Sequence, residues 1–125
     1  MTKFESIRED FENALKRFEE ILQERKNDIV RDSAIKRFEL VFDLLWKTLK
    51  AFLEDQHSAT CVSPQSCFRE AFRLGVIDYN DGWIDVVKTR NNTVHAYDAK
   101  LADEVYAKLP AALSLFKKLK DALQP

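Results

Sequence analysis

Residues 35–53 read IKRFELVFDLLWKTLKAFL, and apolar side chains in this stretch cover most of the circumference of a helix. When successive residues are placed about 100° apart, a polar strip about 80° wide is formed by Lys36, Glu39, Asp43, Lys47 and Lys50. Such a helix lies at the centre of a helical bundle, or is shared between the core and a second subunit. We favour the second interpretation, so the stretch predicts a helical bundle with a subunit interface.

Two long helices are predicted in the first half of the chain. The first covers about residues 2–25, where apolar side chains recur at steps of three and four residues. The apolar helix described above follows it and is expected to extend from residue 29 or 33 to residue 54. Asp28 and Asp32 are its candidate N-caps.

Two shorter helices are predicted in the middle of the chain. Ser63-Pro64 is a typical helix start, a serine cap followed by proline at the first helical position, and Gly75 is the expected end of that helix. Residues 78–82 form a predicted turn whose aspartates can cap the next helix, at about residues 83–96.

A third long helix completes the predicted bundle. Asp98 is its candidate cap, and Pro110 inside its apolar stripe is expected to kink or split it. Only two glycines and three prolines occur in 125 residues, too few for the turns of an all-β fold. We therefore predict an all-α protein in which residues 1–125 form one domain, an antiparallel up-and-down bundle of four to five helices.

Composition restricts the environment and the partners of the protein. The net charge is −1, so no overall basic field favours nucleic acid, and any contact with RNA must be local. The chain shows no signal-peptide pattern and no apolar run of membrane-spanning length, so we expect a cytoplasmic protein with no membrane partner. In that compartment Cys61 and Cys67 are expected to be free thiols, and no zinc site is supported.

Residues 90–97 read RNNTVHAY and contain the candidate functional side chains. Projected as a helix, this region places several apolar side chains on one buried face about 100° wide, with Arg90 in its middle. These side chains are Trp83, Val86, Val87, Val94 and Tyr97. Asn91 and His95, four residues apart, lie together at the edge of that face. One helix therefore presents a permanent cation, an amide and an imidazole, which are the parts of a phosphate site.

This group supports two interpretations. In the first it cleaves RNA without a metal ion: His95 moves a proton at the ribose 2′-hydroxyl, Arg90 holds the phosphate, and Asn91 orients one of them. A second acid–base group is then needed, and a two-fold homodimer with two such sets face to face would supply it. In the second interpretation Arg90 pairs with Glu39 or Asp43, and His95 is a surface residue. Composition and spacing alone favour the second.

Other side chains could contribute near this group. Arg69, Arg73 and Lys88 could extend a basic patch, although basic side chains more often form a solvated face. Tyr97 is either a tyrosine at the edge of the core or a hydroxyl open to modification, where added charge would compete for Arg90. Paired metal ligands and a glycine-rich phosphate loop are missing from the sequence, so we expect no metal and no cofactor.

The chain resembles the HEPN superfamily, in particular its nucleotidyltransferase substrate-binding protein-like family, in segments that occur in the same order. These are residues 35–40 (IKRFEL) running into 45–50 (LWKTLK), 63–64 (SP) followed by 68–75 (FREAFRLG), 83–85 (WID), and 90–98 (RNNTVHAYD). The resemblance extends from the second helix to the last. Arg90, His95 and Tyr97 match the family's Arg-x4-His-x-Tyr motif position for position, and Asn91 matches the polar residue that commonly follows the arginine.

The resemblance implies a function as well as a fold. It implies a homodimer formed through the motif face, paired with a cognate minimal nucleotidyltransferase as a toxin–antitoxin system. The chain would be a metal-independent ribonuclease with Arg90 and His95 catalytic and tRNA or mRNA as candidate substrates. The nucleotidyltransferase would neutralise it by attaching AMP to Tyr97. The older family name implies an alternative role, a non-catalytic subunit that presents substrate or nucleotide to the nucleotidyltransferase.

Overall fold

The computed structural model describes residues 1–124, which form five α-helices and no strand. The helices are α1 (Lys3–Leu22), α2 (Asp28–His57), α3 (Pro64–Arg73), α4 (Gly82–Asn92) and α5 (Ala99–Ala122), and a 3-10 turn at Thr93–His95 follows α4. The predicted all-α helical bundle is therefore confirmed. None of the helices within the described range is long and apolar enough to cross a membrane.

The three long helices pack along one another around an aromatic centre. Phe18 of α1, Phe38 of α2 and Phe116 of α5 are completely buried, and their ring centroids are 5.9–6.1 Å apart. α2 contacts all four other helices, which agrees with the first interpretation of its apolar circumference, a place at the centre of the bundle. The favoured interpretation, a shared subunit interface, stays a prediction. The two short helices α3 and α4 return the chain between α2 and α5, and this places the end of α4 against α5.

Two predicted caps and one predicted helix end are confirmed. The Ser63 side chain accepts from the backbone N–H of Ser66, whose hydroxyl in turn accepts from the Ser63 N–H, so α3 begins with a capping box. Asp98 accepts from a backbone N–H in the first turn of α5. Gly75 follows α3 with a φ of +74°, the left-handed conformation that terminates many helices.

Two other predicted caps are wrong. The Asn27 side chain accepts from a backbone N–H in the first turn of α2 at 2.8 Å. Asn27 is therefore the N-cap of this helix, in place of the expected Asp28 or Asp32. Before α4, Asp81 occupies the N-cap position, but its side chain makes no capping hydrogen bond. The side-chain oxygen of Asn80 accepts instead from the N–H of Gly82 at 2.8 Å. Asparagine and aspartate cap about equally well, so the residue types at the start of α2 did not distinguish Asn27 from Asp28.

Of the two outcomes predicted at Pro110, a kink or a split, the split does not occur. α5 continues on both sides of Pro110, which removes one backbone hydrogen bond but projects from the exposed side of the helix. The flanking residues Leu109 and Ala112 are buried in the core. Packing of this apolar face holds the helix together across the missing hydrogen bond.

Cys61 and Cys67 form a disulfide, which overturns the expectation of free thiols. The turn at Ser63-Pro64 folds Cys61 back against the first turns of α3, and the two Cα atoms lie 5.1 Å apart, within the usual range for a disulfide. Both cysteines are buried. The expectation rested on cellular compartment, whereas the local turn decides whether the two sulfurs can meet.

Candidate functional site at the end of α4

The end of α4 is fixed by hydrogen bonds between Arg90 and Thr93. An Nη1 proton of Arg90 is donated to Thr93 Oγ1 at 3.0 Å, and the Thr93 hydroxyl donates to the Arg90 carbonyl at 2.8 Å. Thr93 is buried, so these contacts are shielded from water. The α-helix stops at Asn92, and the chain continues as the 3-10 turn.

This turn changes which side chains are buried. Trp83 and Val86 are buried and Val87 is half-buried, as predicted. Val94 and Tyr97 are 66% and 87% exposed, so their predicted place on the buried face is wrong. The prediction continued α-helical geometry beyond Asn92, whereas the 3-10 turn rotates the following residues away from the core.

Arg90 lies against two carboxylates of α2. Its guanidinium is 3.5 Å from Glu39 and 3.7 Å from Asp43, and its side chain is 26% exposed. These are the two partners that the sequence suggested for a half-buried guanidinium. The charge is therefore compensated, and the exposed quarter of the side chain remains open to solvent.

His95 lies in a different place from Arg90. It is exposed and lines a groove of about 350 Å³ between α4 and α5, together with Lys88, Asn92 and Lys108. Glu104 of α5 lies on the same groove. The groove thus combines an imidazole, an amide and two ammonium groups with the carboxylates of Asp85 and Glu104. The lysines can attract a phosphodiester beside the proton-transferring imidazole, and the two carboxylates oppose that attraction.

The predicted catalytic side chains share the end of α4 but not one groove. Arg90 points toward α2, His95 lines the groove beside α5, and Asn91 is exposed on α4. Sequence reasoning missed Thr93, which orients Arg90, and it missed Lys108, which comes from the last helix. The RNNTVHAY stretch contained a signal for Thr93, since a threonine three residues after an arginine on a helix lies next to it.

Tyr97 is the accessible hydroxyl of the motif. Its side chain is 87% exposed, and its ring centroid lies 6.5 Å from that of His95. A group attached to this hydroxyl would lie beside His95. The structure therefore places Tyr97 next to the candidate groove and outside the core.

Arg69 and Arg73 lie on α3, away from the His95 groove. Arg73 pairs with Glu70 of the same helix. Arg69 lines a separate groove between α3 and α4. No group of three or more histidine, cysteine, aspartate or glutamate side chains within residues 1–124 is arranged to hold a metal ion.

Comparisons with known proteins give the relatives of this chain. Residues 7–125 match a family model described as "Nucleotidyltransferase substrate binding protein like". The crystal structure of ttk003001694 from Thermus thermophilus superimposes with a TM-score of 0.86 and 30% sequence identity, over 92% of this chain and 99% of that chain.

A second similar structure is that of HI0074 from Haemophilus influenzae, described as revealing the fold of a substrate binding domain of a nucleotidyltransferase. It superimposes with a TM-score of 0.72 and 24% identity, over 98% of this chain and 97% of that chain. This likeness shows a shared fold. No curated protein has significant sequence similarity to the chain.

Proposed function

Because the chain belongs to the nucleotidyltransferase substrate-binding protein-like family, which fits the HEPN superfamily, we propose that it is the ribonuclease toxin of a two-gene pair. Its partner in this proposal is a minimal nucleotidyltransferase, and its substrate is a cytoplasmic RNA. The observation that carries the proposal is the position of His95, exposed in an open groove with Lys88 and Lys108.

The proposed chemistry uses the ribose of the RNA as the nucleophile. His95 takes the proton of the 2′-hydroxyl, whose oxygen attacks the adjacent phosphorus while the bond to the 5′-oxygen breaks. The products are a 2′,3′-cyclic phosphate and a 5′-hydroxyl, which receives its proton from an acid. The two lysines of the His95 groove stabilise the negative charge of the transition state. Arg90 and Asn91 lie outside this groove, so in this proposal they act on the phosphate across the dimer cleft.

A homodimer would supply the acid that one chain lacks. Ile84, Val94 and Leu40 are 53%, 66% and 49% exposed, and Ile84 shares a face of α4 with Asn91. Exposed apolar side chains beside a polar site are typical of an interface between subunits. A two-fold axis through this face would bring a second His95 toward the first.

The exposure of Tyr97 supports its proposed role as the acceptor of AMP. Transfer of AMP from ATP to the phenol oxygen would release pyrophosphate and leave a phosphodiester on Tyr97. Its negative charge and bulk beside His95 would compete with the RNA phosphate. The nucleotidyltransferase would thereby neutralise the ribonuclease.

One observation favours a second candidate function, a non-catalytic subunit that binds substrate or nucleotide for a nucleotidyltransferase. Arg90 is held by Glu39 and Asp43 and points away from His95, as a structural arginine would. The description of HI0074 as a nucleotidyltransferase substrate binding domain belongs to the same interpretation.

Replacement of each histidine distinguishes the two functions. The chain has two histidines, and His57 at the end of α2 is the matched control for His95. We expect wild type and His57→Ala to arrest growth and cleave RNA when expressed without a partner. We expect His95→Ala to lose at least about 100-fold in cleavage rate, as for removal of a general base.

Circular dichroism and sedimentation of the same proteins show whether they are folded and dimeric. If all three proteins are folded and none cleaves RNA, the ribonuclease proposal is wrong and the non-catalytic function replaces it. If His95→Ala cleaves as fast as His57→Ala, the assignment of His95 is wrong.

A further inference from the structure

A second groove lies between α3 and α4, on the other side of α4 from His95. It has a volume of about 400 Å³, and we call it the aromatic groove because Phe68, Phe72, Tyr79 and Trp83 line it. Its size lies within the range of small-molecule sites. Arg69 and Asn80 also line it, so aromatic rings, a guanidinium and an amide share one concave surface.

The rings of the aromatic groove form two pairs at different depths. Phe68 and Trp83 are buried and stacked, with ring centroids 4.5 Å apart. Phe72 and Tyr79 pack edge to face at 5.1 Å and remain 46% and 62% exposed. The inner pair is therefore a rigid floor, and the outer pair presents open ring surface against which a flat molecule can stack.

The polar groups of this groove differ in what they already bind. The Asn80 oxygen accepts from the N–H of Gly82, which fixes the amide and leaves its NH2 group as a donor. Arg69 is exposed, and no carboxylate of residues 1–124 lies within 4 Å of its guanidinium. Arg73, one turn further along α3, is held by Glu70. Arg69 is thus a cation that has no carboxylate partner among residues 1–124 and that lies beside exposed aromatic rings.

We propose that the aromatic groove binds a nucleoside monophosphate, with the base stacked on one ring of the Phe72–Tyr79 pair and the phosphate on Arg69. Stacking and a single guanidinium match the flat base and the one phosphate of such a ligand. Asp78 also lines the groove and can accept from an amino group of the base. Its negative charge disfavours additional phosphates.

This site goes beyond the proposed ribonuclease activity and does not use His95. The nucleotide could be a free mononucleotide or one unit of a single-stranded RNA, since both present a base and a phosphate. Ile84 borders both the aromatic groove and the apolar face proposed for dimerisation. The groove must therefore remain open in the dimer if the proposal is correct.

Titration calorimetry of the full chain with AMP tests the proposal. We expect saturable binding that Arg69→Met weakens by about tenfold, because a charge-assisted contact is lost. Arg73→Met is the matched control, an exposed arginine on the same helix, and should change the affinity less than twofold. Adenosine should bind more weakly than AMP and should not respond to Arg69→Met.

Two further measurements locate the site and its natural ligand. In a Trp46→Phe background, AMP should quench the fluorescence of Trp83, the remaining tryptophan, and Phe72→Ala should reduce both quenching and affinity. Competition by a short single-stranded RNA would indicate an RNA unit as the ligand, and its absence would indicate a free nucleotide. No AMP binding, or equal losses in Arg69→Met and Arg73→Met, would overturn the proposal whatever the outcome at His95.

Discussion

Arg90 is a single side chain that can serve the structure, the chemistry or both. Its guanidinium contacts Glu39 and Asp43 of α2 and donates to Thr93, so it links two helices. The side chains of Arg90 and Glu39 are only 26% and 25% exposed. Water screens such a pair less than it screens a surface pair, so a measurable contribution to stability is expected.

A double-mutant cycle measures that contribution. We expect Arg90→Met and Glu39→Gln to give a coupling free energy of about 1 kcal/mol in urea denaturation. The pair of Arg73 with Glu70 is the control, and its coupling should be smaller because the Arg73 side chain is 65% exposed. Zero coupling between Arg90 and Glu39 would contradict a structural role and leave the guanidinium free for substrate.

The sequence predicted the partners of Arg90 but not the directions of its neighbours. A cation on a half-buried face needs a carboxylate, and the polar strip of α2 offered Glu39 and Asp43. The exposure of Val94 and Tyr97 depends on where the α-helix stops. That point is set by the Thr93 contacts, which a uniform helical projection does not contain.

At the scale of elements, the Cys61–Cys67 disulfide ties the connection after α2 to the first turns of α3. Closing this short loop restricts the unfolded chain more than the folded one. Reduction should therefore lower the free energy of unfolding by about 2 kcal/mol. Urea denaturation with and without a thiol reductant measures the difference.

The Cys61→Ser/Cys67→Ser double variant is the control for this measurement. Its stability should match that of the reduced wild type and should not respond to reductant. If titration shows both thiols free and the stability of the wild type is unchanged, the disulfide does not stabilise the entry to α3.

Helices with strong local sequence patterns were predictable. Features that depend on distant parts of the chain were only partly predictable. The apolar period of α1 and α5, the cap at Ser63 and the turn at Gly75 follow from a few neighbouring residues. The continuity of α5 through Pro110 depends instead on packing against the rest of the bundle. The joining of Cys61 to Cys67 depends on the path of the chain between them.

At the scale of the whole molecule, a charged cluster joins the start of α2 to α5. Arg31 is buried, and its guanidinium lies 3.0 Å from Asp32 and 3.2 Å from Asp103. Lys26 lies 3.1 Å from the same Asp103 carboxylate. Arg31 and Asp103 are 72 residues apart in sequence, so no local pattern could have predicted this contact.

This cluster makes stability depend on pH. Hydrogen bonds from Lys26 and from Arg31 hold the pKa of Asp103 below its usual range. The unfolded chain therefore takes up this proton at a higher pH than the folded protein does. The stabilisation is present in full above the unfolded pKa, near 4, and is lost as the pH falls through the lower pKa of the folded state.

Asp103→Asn should remove this contribution and its pH dependence together. We expect the melting temperature of wild type to exceed that of Asp103→Asn most at neutral pH, with the gap closing as the pH falls toward about 3. Asp10→Asn, which replaces another aspartate on the surface of α1, should show no such closing gap. Thermal denaturation of the three proteins from neutral pH to about pH 3 measures these differences. If the difference in melting temperature between wild type and Asp103→Asn stays constant to about pH 3, the carboxylate does not join α2 to α5 through its charge.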